Sequence, residues 1–135
     1  MKKYRENEIR EHNFFYVGGD MKRKKYAQGK PGTSRQQDIR KRFARIRTDE
    51  KDFMPIGYID ILNITKARLE ALEHEVKAAL TDMGFKNTGN DHFEFEINKQ
   101  LGVKGSYQVF AVITLKLAVD YCKTHKLKYK YTWCA

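Results

Sequence analysis

Cysteine, proline and tryptophan are scarce in this chain, with two, two and one among 135 residues. Cys122 and Cys134 are too few for a disulfide framework and lack metal-ligand spacing. They read as buried or incidental free thiols. Long apolar runs are missing too. The most apolar stretch, Val109 to Cys122, is interrupted by Lys116 and Asp120 and is too short to span a bilayer. The N-terminal Met-Lys-Lys-Tyr-Arg-Glu-Asn-Glu has no apolar segment of the signal-peptide kind. A cytoplasmic protein with no membrane partner is the expectation. The sequence also lacks a P-loop, a dinucleotide-binding glycine fingerprint, a Cys/His zinc pattern and a serine-hydrolase elbow.

Acidic residues are thin at both ends, and that leaves a large positive charge. The net charge is +10. Residues 1–48 hold 15 Lys/Arg against 5 Asp/Glu, residues 49–98 hold 5 against 11, and residues 99–135 hold 7 against 1. Two basic segments flanking an acidic middle fit a polyanionic partner better than a uniformly solvated surface. With 41% hydrophobic residues and a generous aromatic share, the chain has material for one domain core. We expect a single domain over residues 1–135.

Hydrophobic periodicity sets out the elements. His12 to Val17 reads as a strand ending at a Gly18-Gly19 turn. The basic run Lys22, Arg23, Lys24, Lys25 precedes Tyr26 and a Gly29-Lys-Pro-Gly-Thr-Ser34 loop, where Pro31 allows only an edge or a strand end. Ser34 with Gln37 fits a capping box for a helix over about Arg35 to Arg47. Ile39, Phe43 and Ile46 form that helix's apolar stripe, and Arg42 lies about 60° from its centre, at the edge. Phe53 to Ile64 reads as a buried strand, and Thr65 caps a helix running to Gly84. Leu69, Leu72, Val76, Leu80 and Met83 are its apolar stripe. Glu70, His74 and Lys77 fall on a second stripe about 90–120° away.

Asn87 to Asp91 is a turn cluster, Phe93, Phe95 and Ile97 alternate as a strand, and Ser106 to His125 fits a third helix. Tyr129, Tyr131 and Trp133 then alternate with lysines in a last strand. That aromatic face could stack bases, or simply cover a sheet whose edge the lysines guard. The order predicts an α/β (α+β) domain with a small, mainly antiparallel sheet flanked by helices.

These pieces together resemble the GIY-YIG nuclease superfamily, in particular its compact phage and bacterial branch. Phe15-Tyr16-Val17 looks like the first motif's tyrosine strand, and Lys30-Pro31-Gly32-Thr33 looks like a second motif of Lys-Ile-Gly type. Asp38 to Ile46 is similar to the arginine helix, with Arg42 in the key position. Ala67 to His74 resembles the glutamate helix, and Asp91-His92-Phe93 sits where an acidic-Trp-Phe segment is usual. The likeness covers a core of residues 12–97, leaving 98–135 as a C-terminal helix and strand extension. Pro31 stands in place of a branched residue, Lys30 in place of a tyrosine, and the first motif's opening glycine is absent.

The resemblance implies a metal-dependent endonuclease that hydrolyses DNA phosphodiesters, with RNA as a further substrate class. Glu70 would hold Mg²⁺ or Mn²⁺, which typically takes only one or two protein carboxylates. Arg42 would grip phosphate with its fork of donors. Tyr16, beside a metal-bound water, would lose its proton more easily than usual and activate water. Lys30 would polarise water or bind phosphate, and His74 would assist. Lys22, Arg23, Lys24, Lys25, Arg35, Arg40 and Arg45 would contact the nucleic-acid backbone. High target specificity from one compact domain would require a homodimer or a separate partner. Two alternatives remain open: a non-catalytic nucleic-acid-binding module on the same fold, and a phage-type protein-interaction factor.

Overall fold

The computed structural model describes residues 8–20, 27–89 and 91–134. The chain runs β1 (Ile9–Asp20), β2 (Ala27–Ser34), α1 (Ile39–Asp49), β3 (Phe53–Thr65), α2 (Lys66–Asp82), β4 (Lys86–Gly89), β5 (His92–Phe95), α3 (Gly102–Thr124) and β6 (Tyr129–Trp133). The six strands form one sheet in the order β4-β5-β2-β1-β3-β6, and every pairing is antiparallel. The expected α+β architecture is therefore the observed one. No helix among the described residues is long and apolar enough to cross a membrane.

Alternation along the strands sends successive side chains to opposite faces. On β1, Phe15 and Val17 join a large core with α2 and α3, while Phe14 and Tyr16 join a smaller one under α1. α2 places Leu69, Leu72, Val76 and Leu80 in the large core. Met83, the last residue of the expected stripe, is instead exposed, because the helix ends at Asp82 and Gly84 turns the chain with φ +98°. α3 lies over the sheet with Tyr107, Phe110, Leu115 and Ala118 buried, so residues beyond 98 belong to the same core. Tyr107 fastens α3 to the strands, donating to the Asp20 carbonyl at 2.7 Å and accepting from the Gln28 amide at 2.9 Å.

Four local expectations need correction. The turn expected over Asn87 to Asp91 is in its first half the strand β4, which pairs with β5. Gly18-Gly19 is not a turn, and β1 continues through both to Asp20. Gly29 to Ser34 is not a loop but the body of β2, paired with β1 from Phe14↔Ser34 to Gly19↔Gly29. β5 covers β2 only over Ala27 to Gly29, so Pro31 sits where the outer edge of β2 is open, the place a residue without an N–H can occupy. Helix α1 begins four residues later than the Ser34 cap implied. Asp38 is its N-cap and accepts from the Arg40 amide at 3.0 Å, while Ser34 closes a small turn by accepting from the Gln36 amide at 3.2 Å. Thr65 does cap α2, accepting from the Arg68 amide at 3.2 Å. Both cysteines are free. Cys122 is buried, and that burial pushes its thiol up to about 11.

Candidate functional site

The open edge of β2 is where polar side chains from four elements converge. Tyr16 comes from β1 and is 1% exposed. Its ring meets Phe43 of α1 edge-on at 5.6 Å and Phe53 at 6.4 Å. Its hydroxyl extends across β2 over Gly32, where a Cβ would lie only 2.3 Å from the oxygen. The glycine of the Lys-Pro-Gly-Thr segment is thus needed for the space the tyrosine occupies.

Arg42 approaches the same hydroxyl from α1. It emerges half-buried at the edge of the apolar stripe, while Arg40 and Arg45 are exposed. Its Nε is buried without a hydrogen-bond partner. From the other side come Glu73 of α2 and Asp91, at the turn between β4 and β5. Burial raises the Tyr16 pKa, Arg42 opposes this through its charge and a hydrogen bond, and the Glu73 and Asp91 charges raise it further. The net direction is upward. Tyr16 therefore holds its proton more firmly than a free tyrosine, the reverse of the expectation that it would ionise easily.

Lys77 ties the two carboxylates together. Its Nζ lies 3.1 Å from Glu73 Oε2, one helical turn away, and 2.5 Å from Asp91 Oδ1. The Thr33 hydroxyl donates to Glu73 Oε1 at 3.4 Å. Burial acts against the Lys77 charge, but the hydrogen bonds and charges of Asp91 and Glu73 outweigh it and raise its pKa. A second cluster adjoins the first through the residue after Asp91, where β5 begins. His92 Nε2 is 2.5 Å from Glu50 Oε1, and the other Glu50 oxygen accepts from Lys30 Nζ. Burial disfavours the Glu50 carboxylate, yet Lys30 and His92 hold its pKa below the ordinary value. These residues line a cleft of about 240 Å³ with Asp20, Gln28 and Phe53.

Comparison with protein-family models, with curated proteins and with solved structures finds no match for this chain. The site therefore has to be read from its own chemistry.

Of the residues the sequence singled out, the structure brings Tyr16 and Arg42 together and sets Lys30 in the adjoining cluster. It does not bring Glu70 or His74 to them. Glu70 is exposed on α2, 3.6 Å from Lys66, and His74 is exposed on the same helix. The carboxylate facing Tyr16 is Glu73. A wheel signal was available: Glu73 lies about 55° from the centre of the buried α2 stripe, much as Arg42 does on α1, whereas Glu70 lies about 115° away. Asp91, Lys77, Glu50 and His92 are contributed by a turn, a helix flank, a helix end and a strand start, and they announce themselves only once the strands are paired.

The backbone-contact set divides similarly. Lys22, Arg23, Lys24 and Lys25 lie outside the described residues. Arg35 is engaged within the fold, donating to Asn13 Oδ1 at 3.0 Å and to the Glu8 carbonyl at 2.6 Å. Arg40 is paired with the Asp38 cap at 3.1 Å, and Arg45 is exposed on α1.

The carboxylates nearest Tyr16 are engaged by a cation of the protein itself. Glu70 faces Lys66, and the Lys77 ammonium already bridges Glu73 and Asp91. Among the described residues no three His, Cys, Asp or Glu side chains group as metal ligands.

Proposed function

We propose that this chain is a phosphodiester-cleaving nuclease of the GIY-YIG kind, acting on DNA in the cytoplasm. The observation that supports the reading most is the meeting of the Tyr16 hydroxyl and the Arg42 guanidinium beside Glu73 and Asp91. An arginine fork matches two phosphate oxygens, and Arg42, half-buried at the rim of α1, presents one beside Tyr16. Tyr16, protonated at neutral pH, donates a hydrogen bond to an oxygen on which charge develops. Glu73, held by Lys77 and Thr33, is the carboxylate that accepts a proton from the attacking water. Lys77 supplies a fixed positive charge beside the same phosphate.

A purified sample incubated with supercoiled plasmid, in Mg²⁺, in Mn²⁺ and in EDTA, tests this directly. Nicking that falls about a hundredfold or more in Arg42→Ala is expected, the scale on which preorganised donors act. Nicking that survives Arg42→Ala unchanged would overturn the reading.

A second reading has one observation in its favour. With both carboxylates bridged by Lys77 and Tyr16 held neutral, the same cluster is suited to grip a backbone phosphate without cutting it. It expects affinity that falls steeply with salt and no cleavage in any of the three conditions.

A further inference from the structure

At the opposite edge of the sheet, β6 carries an aromatic pair that the fold does not use. Tyr129, Tyr131 and Trp133 point to the face covered by α3, and they divide into two kinds. Tyr129 packs against the core. Tyr131 and Trp133 stay 48% and 36% exposed, so covering the sheet accounts for the first ring and not for the other two. Their rings lie within 9° of parallel, with centres 6.5 Å apart. The arrangement is held from beneath. Trp133 pairs with Gly57 of β3, and a Cβ there would come within 3.2 Å of the indole and 2.8 Å of Leu115. The missing side chain lets the indole edge settle against the sheet beside α3.

Positive charge lies next to the pair. Lys130 sits in β6 between Tyr129 and Tyr131, Lys126 and Lys128 precede the strand, and all three are exposed. β6 is the outermost strand, joined only to β3, so Lys130, on the other face opposite Asp60, shares the rim with the aromatics. Long aliphatic stems let such ammonium groups reach around an edge. Parallel exposed rings with lysines alongside offer π-faces to bases and positive charge to phosphates. Bases paired and stacked inside a duplex have no free π-face for such rings, whereas an unpaired strand can lay its bases on them.

We infer that Tyr131 and Trp133 form a stacking platform for two bases of single-stranded nucleic acid, with Lys130 alongside and Lys126 and Lys128 at the approach to the strand. The platform is separate from the Tyr16 cluster and stands or falls independently of any cleavage there.

Trp133 is the sole tryptophan of the chain, so its fluorescence reports on the platform alone. A dodecameric oligo-dT is titrated into the full chain. An abasic strand of equal length and a duplex of the same charge serve as comparisons. Oligo-dT should quench Trp133, and the other two should bind through charge without quenching. In Tyr131→Ala the dT affinity should fall about tenfold, a typical loss for one stacked base. Trp133→Ala, followed with labelled dT, should lose a similar amount, and Trp133→Phe should recover most of it. These side chains are exposed, and unchanged melting of each variant confirms that the fold is intact. Fluorescence that stays constant at saturating dT would overturn the inference. So would equal quenching by the duplex or abasic strand, or alanine variants that both bind within about twofold of the parent.

Discussion

On the side of the sheet covered by α2 and α3, the strands meet mostly apolar partners, and the Tyr107 hydroxyl is taken up by strand backbone. Phe110 stacks on Phe95 at 4.9 Å, packs edge-on to Phe85 at 5.3 Å, and its ring fills the space a side chain at Gly29 would take. On the α1 side the core is small, and polar groups border it. Tyr16, Phe43 and Phe53 pack together, but Arg42, Glu50 and Lys30 stand at their margin. The same strands thus carry an apolar face that holds the fold and a face whose rim gathers charge. Low dielectric beside that rim is what makes each ion pair there matter to pKa and to a bound anion.

The contrast can be broken from its strong side. Phe110→Ala removes a fully buried ring and should cost about 3–5 kcal/mol in denaturant melts. Activity per folded molecule should be preserved. Loss of activity out of proportion to unfolding would mean the two faces are not separable. Gly32→Ala acts on the polar side. The added methyl must push the Tyr16 hydroxyl away, at a cost of about 1–3 kcal/mol. Here phosphate-directed activity should fall further than stability does.

Smaller effects distinguish the two polar clusters by pH. Lys77 has a raised pKa in the fold, so its contribution is complete below the unfolded value of about 10.4 and is lost as pH rises through the higher folded value. Tyr16, also raised, adds to the same alkaline loss above about pH 10. Glu50 is depressed, so its contribution is present above about pH 4.3 and disappears as pH falls through its lower folded value. Melting temperatures across pH should therefore show Lys77→Met flattening the alkaline limb and Glu50→Gln flattening the acid limb. Either variant altering the opposite limb would contradict the assignment.

Much of this architecture was legible from periodicity. The Thr65 cap, the α2 stripe up to Leu80 and the emergence of Arg42 beside the core follow from helical geometry alone. The glycines misled for a physical reason. Gly18 and Gly29 look like punctuation, yet they lie within strands because the Phe53 and Phe110 rings take their side-chain space. Pro31 is compatible with an edge or a strand end, and only the pairing of the sheet, with β5 stopping at Gly29, decides for the edge. Glu73 was passed over for a similar reason. Four residues link Glu70 to His74 along the helix, but only the position of α2 against the open edge of β2 decides which flank faces Tyr16.

The most direct test replaces those two glutamates side by side. Glu73→Gln and Glu70→Gln are compared for plasmid nicking and for DNA affinity under the same salt. The account predicts that Glu73→Gln lowers nicking by an order of magnitude or more, the usual weight of a positioned proton acceptor, while Glu70→Gln leaves it within about twofold of the parent. Nicking that depends on Glu70 and ignores Glu73 would contradict it.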